Sequence, residues 1–425
     1  MKILVKSYER WYNIYKIQKK EGKILYVVGL VGPFGSGCTY VAEKIVENHG
    51  YEYLSLSDVL REEYKKENPN KRKIARKDLQ DFGDKVRETK GADYLAQIVC
   101  KKIKQDTTKN YVVDSIRNPE EINCLRKSFA EFFLFGVFAE PDLRWKRVKE
   151  KYDEDRRTFD EDDKRDSNGG VEHGQRVTDS FRMADIILLN NENIAEGNKN
   201  EELFLAKLKQ KIYLIEGKEA FAPTYIETNM AIAYAASMRS SCLKRKVGAV
   251  IVDIAGDVFS SGYNEVPAAN NTCKCEYGMC YRDKLKKDYK ETLGSVIKKS
   301  KEREAAYTLF KKNFKILDYC RALHAEENAI LNVARVGASA ALPASTLFTT
   351  TYPCNLCANK IAQVGIKHIV YFEPYPMEEA KKILEDKGVE QESFEGCAVP
   401  TNEFGSVLPP RWSGTFKAIN KEFIK

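Results

Sequence analysis

An α/β fold in two domains is what this chain predicts, and three observations predict it. Its 425 residues exceed one ordinary core and suit two domains of about 200 residues each. A continuous apolar run, KILYVVGLV (23–31), leads through a glycine-rich loop (32–39) into the helical TYVAEKIVENHG (39–50). The second half reads α, β, β, α, β, α, β, a central sheet with helices on its faces. The boundary falls near Pro223, so the expected domains are 1–215 and 216–425.

Composition narrows the class. With 43% hydrophobic and 31% charged residues the chain is an ordinary globular protein. Charges interrupt the apolar residues of MKILVKSYERWYNIYK, so no signal peptide is expected there, and no apolar run reaches the ~18 residues of a membrane span. A cytoplasmic protein without a membrane partner is therefore expected. Eleven cysteines in a chain of this size point to metal sites or inert buried thiols rather than a disulfide framework. The net charge of +8 permits an anionic partner without demanding one.

Each element follows from its residues. The run 23–31 is suited to a strand buried on both faces. The loop Gly32-Pro33-Phe34-Gly35-Ser36-Gly37-Cys38-Thr39 lies between strand and helix, where backbone N–H groups converge on an anion. Gly32, Gly37 and Thr39 match the pattern G-x-x-x-x-G-K-[ST], but Cys38 stands in place of the lysine. Gly32, Gly35, Ser36, Gly37 and Thr39 are the candidate nucleotide-binding residues, with Mg2+ as a companion ion. Asp114 ends the strand Tyr111-Val112-Val113, where a magnesium-associated acid would lie, and EFFLFGVFAE (131–140) reads as a buried strand. The mixed-sign run 144–170 is either a lid carrying arginines over phosphates or a solvated helix and loop. ELFLAKLKQKIYLIEG closes the first half as a helix.

In the second half the expected elements are a helix over 225–242, strands over 246–253 and 257–264, helices beginning near His324 and Cys354, and strands over 345–350 and 368–374. His324-Ala325-Glu326 and Pro353-Cys354-Asn355-Leu356-Cys357 supply one imidazole and two thiols. Three protein ligands leave zinc a fourth position for water, which is the catalytic arrangement. H-x-E with P-C-x-x-C is the signature of zinc nucleobase deaminases, with Glu326 as the proton carrier. The insert 283–315 is basic and helical in character, and the tail aromatics Phe404, Trp412 and Phe416 are expected to pack back onto the domain.

Two resemblances add to this reading. Residues 23–215, through the loop, DLQDFGDKVRETKGADYL (78–95) and MADIILLNNE (183–192), resemble P-loop small-molecule and nucleotide kinases. Residues 224–375, through KVGAVIVD, Ser261-Gly262-Tyr263-Asn264-Glu265-Val266-Pro267, HAEENAI, TTYPCNLCANKIAQVGI and IVYFEPY, resemble deoxycytidylate deaminases. The combination resembles bacterial anti-phage deoxycytidine nucleotide deaminases. It implies an N-terminal P-loop NTPase/kinase-like domain plus a C-terminal cytidine-deaminase-like α/β/α domain. It also implies zinc on His324, Cys354 and Cys357, Asn264 on the deoxyribose, hydrolysis of dCMP or dCTP, a small RNA as regulator, and a homo-oligomer. Glu265 departs from the glycine that many members carry after the asparagine. A second, structural zinc among Cys242, Cys273, Cys275, Cys280 and Cys320 is an even alternative to inert thiols. The rival functions are a polynucleotide cytidine or adenosine deaminase, a bifunctional kinase and deaminase, and a binding module with a structural zinc.

Overall fold

The computed structural model describes residues 24–71, 74, 76–168, 175–192, 197–219, 221–267, 271–313, 319–373 and 378–397. The N-terminal segment and the aromatic tail read from the sequence lie outside them. The described residues fall into two compact units, one ending at 222 and the other spanning 223–394, with 395–397 returning to the first.

The first unit is built on a parallel sheet of β1 (Tyr26–Val31), β2 (Glu52–Ser55), β3 (Tyr111–Ile116), β4 (Glu131–Phe138) and β5 (Ile186–Leu189), in the order β5-β4-β1-β3-β2. Central β1 is buried along nearly its whole length, which explains its unbroken apolar sequence. Val28, Leu30, Val112 and Phe135 meet Ile45 and Ile212 of the flanking helices in one core.

The second unit carries a mixed sheet of β6 (Gly248–Val252), β7 (Val258–Tyr263), β8 (Thr346–Thr349), β9 (His368–Tyr371) and β10 (Glu390–Ser393), in the order β10-β9-β8-β6-β7. β6 runs antiparallel to both β7 and β8, whereas β8, β9 and β10 are parallel. Ala329 and Val333 of one helix and Ile361 of another pack with Ile251, Leu347 and Ile369. That packing places the two helix starts bearing His324 and Cys354 on the same sheet.

One assignment changes. The sequence reading gives everything after 215 to the second domain, but β11 (Gly396–Cys397) pairs antiparallel with β5 in the first sheet. Glu395 beside it accepts from the Leu189 N–H and pairs with Lys207 at 2.6 Å. A two-residue strand joined by long-range pairing leaves no local signal in the sequence. No helix among the described residues is long and apolar enough to cross a membrane.

Candidate active site

His324 is the N-cap of the helix Ala325–Arg335, and Cys354 is the N-cap of Asn355–Gln363. Both residues therefore sit where a helix dipole favours negative charge. Nδ1 of His324 lies 3.2 Å from Cys354 Sγ and 3.4 Å from Cys357 Sγ. For a tetrahedral zinc with ordinary Zn–N and Zn–S bonds, that N···S edge is about 3.6 Å. The three ligand atoms lie within 4.8 Å of one another, and among the described residues they are the one group of His, Cys, Asp or Glu so arranged. The donor set and its spacing fit zinc. The Cys357 thiol, and then His324, pull Cys354 down to about 4, whereas Cys357 is pushed up by Cys354 and by burial.

Glu326 is 3% exposed, and its Oε2 lies 3.6 Å from Cys357 Sγ. Burial raises the pKa of its carboxyl group, so it holds a proton more readily than an exposed glutamate. The spacing i, i+2 from the N-cap brings Glu326 to the same helix mouth as His324.

Side chains that the motif did not single out hold this helix in place. Glu327 accepts from the His324 N–H and pairs with Lys360 of the other zinc-side helix at 3.2 Å. Asn328 donates to the Tyr263 carbonyl at 3.0 Å and Asn332 to the Ser261 carbonyl at 2.9 Å, while the Ser260 hydroxyl donates to the Ala329 carbonyl. Asn328 and Asn332 are spaced i, i+4, which puts both on one helical face. That spacing was the available signal. Gly262 makes the close approach possible, because a Cβ there would lie 2.2 Å from the Ala325 carbonyl oxygen.

Asn264 is placed near this helix by β7, but its amide is largely committed. Its Oδ1 accepts from the Val247 N–H at 2.7 Å and its Nδ2 donates to the Arg245 carbonyl at 2.8 Å, leaving one N–H hydrogen. Glu265 explains its departure from glycine. Its carboxylate accepts from the backbone and hydroxyl of Ser241, both at 2.7 Å, while its backbone pairs with Leu323 next to His324. Cys242, Cys273, Cys275, Cys280 and Cys320 are free and form no metal-holding group among the described residues, and Cys275 is exposed. Burial raises the Cys320 thiol, and Cys242 and Cys280 nearby add to the rise.

The glycine loop of the first unit forms a separate site. Gly37 caps the helix Cys38–His49 at φ 99, and a Cβ there would lie 2.3 Å from Asn190 Nδ2, which donates to the Ser36 carbonyl. Thr39 donates to Asp114 at 3.0 Å and Tyr53 to the same carboxylate at 3.3 Å. Gly32, Gly35 and Ser36 complete the loop wall of a cavity of roughly 760 Å³. Desolvation, with Asp114 next in effect, pushes the Cys38 thiol up to about 12, so a neutral group replaces the missing ammonium. The run 144–170 is mostly spoken for within the unit. Arg144 is buried, forks onto Asp163 at 2.6 and 2.8 Å and donates to the Phe34 carbonyl, while Arg165 reaches Asp81 and Asp84.

Comparison with known proteins agrees with both units. Residues 223–373 match the family model described as cytidine and deoxycytidylate deaminase zinc-binding region, and residues 31–165 match that of an AAA domain. The chain is 28% identical over 373 residues, 86% of its length and 97% of the relative's, to the deoxycytidylate deaminase of Schizosaccharomyces pombe. It is 35% identical over 177 residues, 38% of its length and 86% of the relative's, to the deoxycytidylate deaminase of Enterobacteria phage T4. A UPF0200 protein of Methanothermobacter thermautotrophicus is 25% identical over 190 residues, 44% of this chain and 93% of that protein.

Proposed function

The chain belongs to the deoxycytidylate deaminase family, and from that premise we propose that it converts dCMP, dCTP or both to the deoxyuridine nucleotide, with Glu326 as the catalytic proton carrier. The observation that carries this reading is the meeting of His324 Nδ1 with two thiols at 3.2 and 3.4 Å, beside the buried Glu326 carboxyl. His324, Cys354 and Cys357 would hold zinc, which would supply a water acidic enough to lose a proton near neutral pH. Glu326 would take a proton from the attacking water and deliver it to ring N3 as the water oxygen bonds to C4. The proton left on the new C4 hydroxyl would then pass through the same carboxyl to the amino group, so that C4=O forms as the C4–N bond breaks and ammonia leaves. Asn264 has one Nδ2 hydrogen to offer a sugar hydroxyl.

In the first unit the supported reading is a nucleotide at the loop without ordinary phosphoryl transfer. Cys38 removes the charge that would clamp the β- and γ-phosphates. The biological reading is depletion of the deoxycytidine pool during phage infection; its support is the resemblance of the two-unit arrangement. The small RNA and the homo-oligomer implied by that resemblance gain no support from the described residues.

Assays of the purified chain on dC, dCMP, dCTP, CTP and single-stranded DNA test the substrate. Turnover of dCMP or dCTP far above the others is expected, and a preference for single-stranded DNA would transfer the reading to a polynucleotide editor. Nucleotide pools before and after phage challenge test the biological role.

A further inference from the structure

Asn264 has one amide hydrogen left for a substrate, so its use depends on what aims it. Both partners of the amide, the Val247 N–H and the Arg245 carbonyl, lie on the irregular segment between the helix Tyr225–Ser237 and β6. The far end of this segment is fixed to the sheet. There the Gly248 N–H donates to the Thr350 hydroxyl at 3.1 Å, and the Gly248 carbonyl accepts from the Thr350 N–H at 3.0 Å. The near end has no such ladder. Lys244 pairs with Asp283 and Arg245 with Glu373, but both cations are exposed, where an ion pair contributes little.

The Glu265 carboxylate supplies the missing tie. One oxygen accepts from the Ser241 N–H, and the other accepts from the Ser241 hydroxyl and, at 2.8 Å, from the Val266 N–H. Hydrogen bonds to an ionised acceptor are about twice as strong as neutral ones. These three fix the peptide next to Ser240, whose own hydroxyl donates to the Asn264 carbonyl at 2.6 Å. A closed ring of contacts therefore runs from Glu265 through Ser241 and Ser240 to Asn264. A glycine at 265 would keep the backbone pairing with Leu323, beside His324, and lose every one of the side-chain bonds. The side chain thus acts on the Asn264 side of the site, and the backbone on the zinc side.

We propose that the Glu265 carboxylate is a positioning group for substrate, holding the turn 240–242 so that the Asn264 amide meets the sugar hydroxyl of the nucleotide, and thereby sets KM. The inference rests on the deamination reading and adds to it a residue outside the zinc motif. Steady-state kinetics and zinc content of the full chain test it. The substrates are whichever of dCMP and dCTP the parent deaminates faster, and the 2′,3′-dideoxy analogue of that nucleotide, which has no sugar hydroxyl. In Glu265→Gly the KM for the deoxynucleotide is expected to rise about tenfold, while kcat stays within about threefold and zinc content is unchanged. Glu265→Gln, whose single amide oxygen cannot serve both the Ser241 and Val266 N–H groups, is expected to fall between parent and Glu265→Gly. Ser241→Ala is expected to raise KM about threefold and to add nothing in the Glu265→Gly background, since the two residues act as one unit. With the dideoxy analogue, kcat/KM of the parent and of Glu265→Gly are expected to agree within about twofold. The inference is overturned if KM for the deoxynucleotide is unchanged in Glu265→Gly, whatever its Tm, if zinc is lost with the side chain, or if the dideoxy analogue suffers the same loss. A parent inactive on both nucleotides overturns the deamination reading and the inference with it, whereas an active parent matched by its variants overturns the inference alone. Ser241 is exposed, and its variant keeps the test decisive if Glu265→Gly does not fold.

Discussion

Glu326 and Cys38 are both groups whose surroundings move the proton, with opposite consequences. Glu326 is buried beside the zinc ligands, and its raised carboxyl can accept and release a proton during one turnover. Glu326→Ala is expected to keep one zinc per chain and lower kcat by at least a thousandfold; metal analysis with steady-state kinetics checks this, and substantial residual activity would remove Glu326 from the chemistry. Cys38 is held at about 12, above its ordinary value, so only a small fraction is thiolate at pH 8. Iodoacetamide at pH 8, followed by peptide mass spectrometry, is expected to label exposed Cys275 and spare Cys38, with labelling of Cys38 growing only as the pH approaches 12. Rapid modification of Cys38 at pH 8 would mean that the loop is poised by an activated thiolate instead.

At the scale of elements, the zinc site depends on how tightly one helix lies on one strand. Gly262→Ala would drive a methyl group into the backbone of Ala325–Arg335, one residue from His324. The expected cost is about 1–3 kcal/mol of stability, together with weaker zinc retention, both readable from thermal melts and metal content. Unchanged metal content would show that His324 is set by its own helix alone. The helices and buried strands were legible because their apolar spacing repeats locally, as in YVVGLV and AEENAILNVAR. The edge strands β2 and β10 were not, since EYLS is half polar, EQES wholly polar, and both are short and stabilised by neighbours distant in sequence. For the same reason the motif disclosed His324, Glu326, Cys354 and Cys357 but not the Asn328 and Asn332 ties, whose partners lie on β7. The cysteine spacing offers a second zinc and inert thiols equally: Cys242 and Cys280 lie near Cys320, while the five thiols form no metal-holding group among the described residues.

Across the whole molecule the two units carry different chemistry on different cores, and metal should reveal the division. Only the second unit holds a zinc-ligating group among the described residues, and those ligands join two helix starts that share the core of its sheet. Metal that binds the folded state alone adds about 4 kcal/mol at a thousandfold excess over Kd. For a unit of 150–250 residues each kcal/mol moves Tm by about 2–4 °C. Calorimetry of the full chain with and without a strong chelator is therefore expected to show one transition falling by roughly 10 °C, while the transition of the first unit stays within about 2 °C. Adding a nucleotide that occupies the loop cavity is expected to do the reverse, raising the first unit's transition and leaving the chelator-sensitive one in place. If chelator lowers both transitions together, folding of the first unit is coupled to the zinc site. If it moves neither, the three ligands do not hold a metal that contributes to stability.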